Sequence, residues 1–178
     1  MFIINIVMVK GGTWQEQLLT TTIQIDAVEM YQTKNIDGLI KYKLKNEIEC
    51  FCGKHGYVLK DSVEILKRSI GKVITHNSKS KVEYNLTYKM KVILPTVQEV
   101  YTCIIDSITK MGIIAFMANV SHNPENKIEE SPLLFIIPSE YEKDLSLYKV
   151  GQKIEVEVLQ SRIKYRSKQI QVVGRIDR

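Results

Sequence analysis

Apolar and polar residues alternate with a period of two along most of this chain, and the period changes once. Leu18 to Asp26 is rich in Thr and Ile, residues that suit a pleated, half-buried surface, and reads as a strand. From Thr33 to Asn46 the apolar residues Ile36, Leu39, Ile40 and Leu44 fall at helical spacing. Lys41, Lys43 and Lys45 cluster toward the end of that stretch, where cations suit the helix dipole. Glu47 to Leu66 then reads as a hairpin, two apolar-rich arms around the tip Gly53, Lys54, His55, Gly56 and Tyr57. Glycine tolerates positive φ, so the tip is conformationally permissive. Gly71 to Ile74 predicts a short strand. Val82 to Leu94 predicts a long one, with Tyr84, Leu86, Tyr88, Met90, Val92 and Leu94 on one face. A strand, a helix and then several strands make an α+β module.

Pro95 marks a change of domain. Strands are expected at Val97 to Ile108, Gly112 to Phe116, Leu133 to Ile137, Ile154 to Leu159 and Gln169 to Ile176. A polar loop over Asn119 to Ser131 and a polar, partly helical connection over Ser139 to Tyr148 separate the later ones. Five short strands with the longest excursion between the third and fourth is the order of a small Greek-key OB barrel. The expected fold class is therefore α+β: a strand–helix–strands tip domain over 18–94, then a five-stranded OB β-barrel over 95–178. Residues 1–17 read as an N-terminal arm or edge strand. Met1 to Val9 is apolar but too short to span a bilayer. It has neither a basic region before it nor a small-residue cleavage site after it, which argues against a secretory signal. No membrane partner is expected.

Composition adds little beyond confirming a globular chain: 44% of 178 residues are hydrophobic and 25% charged. Charge changes the picture more. The net charge is +5, and all of the excess lies before Pro95, while the residues after it balance. Within that second half, Glu125 to Glu157 is acidic and the tail is basic, with Arg162, Lys164, Arg166 and Lys168 around Tyr165. A strip of this kind attracts phosphates. It also serves as a charged strand edge that resists aggregation. Both readings fit the sequence.

Candidate chemistry is sparse. Cys50, Cys52 and Cys103 have neither zinc nor disulfide spacing and read as buried free thiols, with Cys50 and Cys52 on one strand face. His55, His76 and His122 are scattered over loops, away from any metal spacing. Glu47 and Glu49, two apart on a strand, read as solvent-facing. Walker and dinucleotide glycine loops are absent from the sequence. The chain is expected to carry no catalytic residues, no metal and no cofactor; its function is binding.

The order of these pieces resembles one family. The stretches that carry the resemblance are EIECFCGKHGYV over Glu47 to Val58, YNLTYKMKVILP over Tyr84 to Pro95, EVYTCIIDSITKMG over Glu99 to Gly112, and VGQK over Val150 to Lys153. Together they resemble the larger stalk subunit of multisubunit DNA-dependent RNA polymerases, a family shared by the archaeal enzymes and, as the seventh subunit, by eukaryotic polymerase II. The resemblance spans Leu18 to Ile176. It implies a non-catalytic subunit whose tip, Gly53 to Tyr57, docks on the large polymerase subunits near the clamp, with Tyr57 as an aromatic anchor. It also implies a barrel beside exiting RNA; by their own charge and one stacking aromatic, Lys110, Arg162, Lys164, Tyr165, Arg166 and Lys168 are expected to be its weak RNA contacts. In cellular relatives a small helical stalk partner sits across the two domains.

The chain departs from the family at Gly112-Ile113-Ile114, where RNA-binding barrels of this type often carry a stacking aromatic. Phe116 is expected in the core. The Ile-, Lys- and Asn-heavy composition is consistent with a large DNA virus that encodes its own polymerase. That origin places the protein in viral particles and host cytoplasm, and a cellular origin places it in the nucleus. The rival reading is a free-standing OB-type RNA-binding protein of translation or RNA processing.

Overall fold

The computed structural model describes residues 5–6, 14–76, 79–118, 128, 131–142 and 144–177. Most of them lie in strands. Two strands form the spine of the first half. β2 (Trp14–Asp26) and β7 (Lys79–Ile93) pair antiparallel from Trp14↔Ile93 to Asp26↔Lys81. β1 (Asn5–Ile6) pairs with Gln15 and Glu16 on the outer edge of β2; the rest of the expected N-terminal arm up to Thr13 lies outside the described residues. Three short strands tile the other edge of β7 in succession: β6 (Lys72–His76), β5 (Glu64–Arg68) and β4 (Gly56–Val58), with β3 (Cys52–Gly53) outermost.

The alternation in β7 puts Tyr84, Leu86, Tyr88, Met90 and Val92 on one buried face with Ile23 and Ile25 of β2. The helix α2 (Ile36–Ile48) covers that face through Ile40 and Leu44. Asn35 caps its start, accepting a hydrogen bond from the Gly38 N–H at 2.9 Å. A short helix, α1 (Ala27–Gln32), leads into it. The opposite face of the sheet is mostly polar, and two of its cross-strand pairs are hydrogen-bonded: Thr22 to Asn85 at 2.9 Å and Gln24 to Glu83 at 3.0 Å.

Two expectations change here. Glu47 and Ile48 belong to α2 and Glu49 to Phe51 turn away from it, so the first arm of the expected hairpin is helix end and turn until Cys52. Ile48 continues the Ile40–Leu44 stripe, and Glu49 reaches back to Lys45 at 3.8 Å and accepts from the Val63 N–H at 3.1 Å. These local contacts override the strand-like alternation of Glu47, Glu49 and the cysteines. Cys50 then turns through φ 62°, so Cys50 and Cys52 do not share a strand face. The hairpin shrinks to β3 and β4.

The second half is a closed five-stranded barrel of β8 (Val100–Thr109), β9 (Gly112–Met117), β10 (Leu133–Pro138), β11 (Lys153–Arg162) and β12 (Ile170–Ile176). Neighbours run β10-β12-β11-β8-β9 and back to β10; only β10 and β12 are parallel. Bulges between Ile105 and Ser107 and between Val158 and Gln160 add the local bend that a small barrel needs. Tyr101, Phe135, Val156 and Val172 are among the side chains filling it, and the Tyr101 hydroxyl donates to Glu99 at 2.7 Å. Phe116 is buried but is not part of this interior cluster; its register puts it level with Leu134 and Ile104, on the strand face that Ile114 shares. Much of the expected polar loop over 119–131, His122 included, lies outside the described residues.

The two halves share packing. Cys52, Tyr57 and Ile93 from the first half join the barrel's core cluster, with Trp14 and Cys50 packed against it. Pro95 is therefore a junction between hydrogen-bonding networks rather than a gap between cores.

Gly112 opens β9 at φ +142°, where an added Cβ would lie 2.1 Å from the Ile137 carbonyl oxygen. Gly112→Ala should lower unfolding free energy by roughly 3 kcal/mol, from strain at that φ and displacement of β10. Gly53→Ala, which meets nothing, should stay within about 0.5 kcal/mol. Urea denaturation of the two variants checks this.

Candidate partner and nucleic-acid interface

The hairpin tip is built by tight constraints on both sides. Cys52 pairs with Tyr57 and Gly53 with Gly56, leaving Lys54 and His55 as a two-residue loop. Gly56 sits at φ +114°, and a Cβ there would lie 2.4 Å from the Ile93 carbonyl oxygen, so only glycine lets the loop close against the end of β7. On the other side the tip meets the turn between β11 and β12. The Cys52 N–H donates to the Ser167 carbonyl at 2.8 Å, and the Arg166 N–H donates to the Cys52 carbonyl at 2.8 Å. Arg166 takes φ 59° to do so, and its guanidinium lies 5.7 Å from the Phe51 ring centre.

Two groups of residues far apart in sequence, the tip and the basic strip, therefore form one surface. Arg162, Lys164, Tyr165, Arg166 and Lys168 are all exposed, Tyr165 at 76%. Ile163 is packed against the barrel core between them, which turns its charged neighbours outward. Lys54 is exposed beside them. Lys110 is not part of this surface. It sits in the β8–β9 turn, at the end of the barrel where Gly112 pairs with Pro138, whereas the basic turn lies at the end where Arg162 pairs with Gln171.

The tip itself is less available than its sequence suggests. Gly56 and Tyr57 are buried and Gly53 is half-buried. Tyr57 is 7% exposed, packed in the barrel cluster, so it does not serve as an exposed aromatic anchor. Burial raises its phenol pKa well above the ordinary range, as does the neighbouring Cys50 thiol. The Cys52 thiol is pushed up to about 11 by burial, partly offset by a hydrogen bond from Ser167. Burial likewise raises Cys103 inside the barrel. Neither Cys52 nor Cys103 is poised as a thiolate nucleophile. Among the described residues no group of three His, Cys, Asp or Glu side chains is placed to hold a metal.

Between the tip, the end of α2 and the sheet lies a cleft of about 310 Å³. Lys54, His55, Tyr165 and Arg166 line it together with Phe51 and Glu47, over a floor that includes Tyr88 and Met90. His55 Nε2 is buried with no hydrogen-bond partner. Nothing in the sequence marks Phe51 or Glu47 as site residues, because only the contact between tip and turn brings them to the cleft.

Burial lowers the His55 pKa below its ordinary value, helped by the charge of Lys54. The unfolded chain then binds a proton more readily than the folded one. The stability tied to neutral His55 is complete above the unfolded value of about 6.5 and is lost as pH falls through it toward the folded value. The melting temperature should therefore drop more between pH 7.5 and pH 5 in the native chain than in His55→Gln, measured by calorimetry.

No protein-family model matches the chain, and no curated protein matches its sequence with significance.

Proposed function

We propose that this protein is a non-catalytic stalk subunit of a DNA-dependent RNA polymerase, docking on the large subunits through its tip and placing an OB barrel near exiting RNA. The observation that carries the proposal is the joining of a hairpin tip to a five-stranded barrel through one continuous core. Around the barrel the strands follow the order first, second, third, fifth, fourth and back to the first. That Greek-key connection supports the OB reading. Exposed Lys54 and the half-buried His55 edge are the tip groups left to meet the polymerase. The exposed basic turn, with one stacking aromatic, supports weak, sequence-tolerant contact with single-stranded RNA. The same proposal leaves room for a small helical stalk partner. It places a viral version of the enzyme in particles and host cytoplasm, and a cellular one in the nucleus.

The burial of Gly56 against the end of β7 and of Tyr57 in the barrel cluster favours a second reading, a free-standing OB-type RNA-binding protein. The tip would then be an internal brace. A tagged pull-down from the native source at moderate salt separates the two. The stalk reading expects two very large polymerase subunits in near-stoichiometric amount, lost in Lys54→Glu. Recovery of RNA or ribosomal material alone would overturn it.

RNA contact has its own signature. If four cations engage phosphates, affinity for single-stranded RNA should fall on the order of 50-fold between 50 and 200 mM salt, at roughly −0.7 per phosphate in log–log slope. Fluorescence anisotropy measures this. An affinity independent of salt would remove the basic turn from the interface.

A further inference from the structure

We infer that the cleft where the hairpin tip and the β11–β12 turn together face the end of α2 and the sheet is a binding site for one nucleotide of single-stranded RNA, so that the tip contributes to RNA contact as well as the barrel. This rests on the RNA-contact half of the proposed function and extends it to tip residues that the stalk resemblance assigns to polymerase docking.

The cleft has the size and chemistry for that ligand. At about 310 Å³ it lies at the small end of the range ligand pockets occupy, roughly 300–1,000 Å³, which suits a single flat group and not a helix. Its two cations, Lys54 and Arg166, are exposed, where a phosphate stays partly solvated. Tyr165 presents an exposed ring beside them, and half-buried Phe51 supplies a second, with the Arg166 guanidinium 5.7 Å from its centre. Rings and guanidinium planes of this kind are what unstacked bases settle against. The remaining polar groups, the buried His55 Nε2 and exposed Glu47, suit a base edge. His55 Nε2 is buried without a partner, a state that costs free energy until something bonds to it. Glu47, the only acid lining the cleft among the described residues, accepts N–H donors and repels phosphate, which fixes the base on that side and the backbone on the Lys54 side.

Continuity decides between RNA and an acidic protein segment. Arg162 at the end of β11 and Lys164 and Lys168 in the turn are exposed cations close in sequence to Arg166, which lines the cleft. An acidic side chain entering the cleft would leave both rings unused and would face Glu47.

The site is also preorganised. Cys52 and the Arg166–Ser167 backbone exchange two hydrogen bonds of 2.8 Å, so tip and turn cannot separate without breaking both. The cleft is therefore present before ligand arrives, which lowers the ordering cost of binding.

The test uses the full chain and a short uridine-rich RNA carrying a single 4-thiouridine, read by anisotropy and by mapping the photo-crosslinked peptide. The expected result is crosslinks to the peptide containing Phe51 and His55 as well as to the one containing Tyr165. His55→Leu and Lys54→Ala should each weaken RNA binding at least about fivefold while circular dichroism stays native-like and the melting temperature does not fall. Arg162→Ala with Lys168→Ala should weaken binding yet keep the crosslink at the tip. Crosslinks confined to the turn, with both tip variants within about twofold of the native affinity, would overturn the inference and leave RNA contact by the barrel standing. Failure of the native chain to bind RNA at about 50 mM salt would overturn both. Loss of co-purifying large subunits in His55→Leu, with RNA affinity unchanged, would make the cleft a protein contact and overturn the inference alone.

Discussion

Two backbone hydrogen bonds between Cys52 and the Arg166–Ser167 turn hold the functional surface together. A hairpin as small as β3 and β4 is not stable alone in water. Here one side is pinned to the end of β7 through Tyr57 and Ile93, and the other to the barrel turn through Cys52. The side chains follow the backbone inward. Cys52 and Tyr57 fill space at the top of the barrel, and their burial raises both pKa values, so they act as neutral packing groups. What remains outside is the polar loop, Lys54 and part of His55.

The barrel supplies the other half of that surface. Ile163, just past the end of β11, packs against the barrel core, and its neighbours Arg162 and Lys164 are exposed. Arg166 reverses the chain at positive φ, which a non-glycine residue adopts only when its surroundings compensate. The compensation is visible: the Arg166 N–H is satisfied by Cys52, and its guanidinium rests over Phe51. Strain at the turn and docking of the tip are thus parts of one arrangement. A change that loosens either should be felt at the other, because the residues share partners.

Much of this was legible in the sequence where one face of an element is buried. The period-two pattern from Val82 to Val92 and the helical spacing of Ile36, Leu39, Ile40 and Leu44 both report burial against a single neighbour, and both elements form. Among the barrel strands, Ile154 to Leu159 announces itself for the same reason, whereas Gly112 to Phe116 and Leu133 to Ile137 show as short apolar runs bounded by turn residues. Periodicity misleads where a short stretch satisfies two periods at once. Glu47 to Cys52 alternates like a strand, but Ile48 also continues the α2 stripe, and Glu49 finds Lys45 one turn back. The tie is broken by contacts four residues apart and by Val63, fourteen residues on.

By itself the sequence determined the strand and helix periods, the glycines that permit the tip, and the presence of a basic, Tyr-containing strip, because these depend on local backbone sterics and side-chain type. Only the tertiary structure decided that tip and strip are neighbours, that Tyr57 is buried and Lys110 remote, and that Phe51, Glu47 and His55 share a cleft. Those facts depend on which backbone groups pair across more than a hundred residues, as Cys52 does with Ser167, and no local pattern encodes such a pairing.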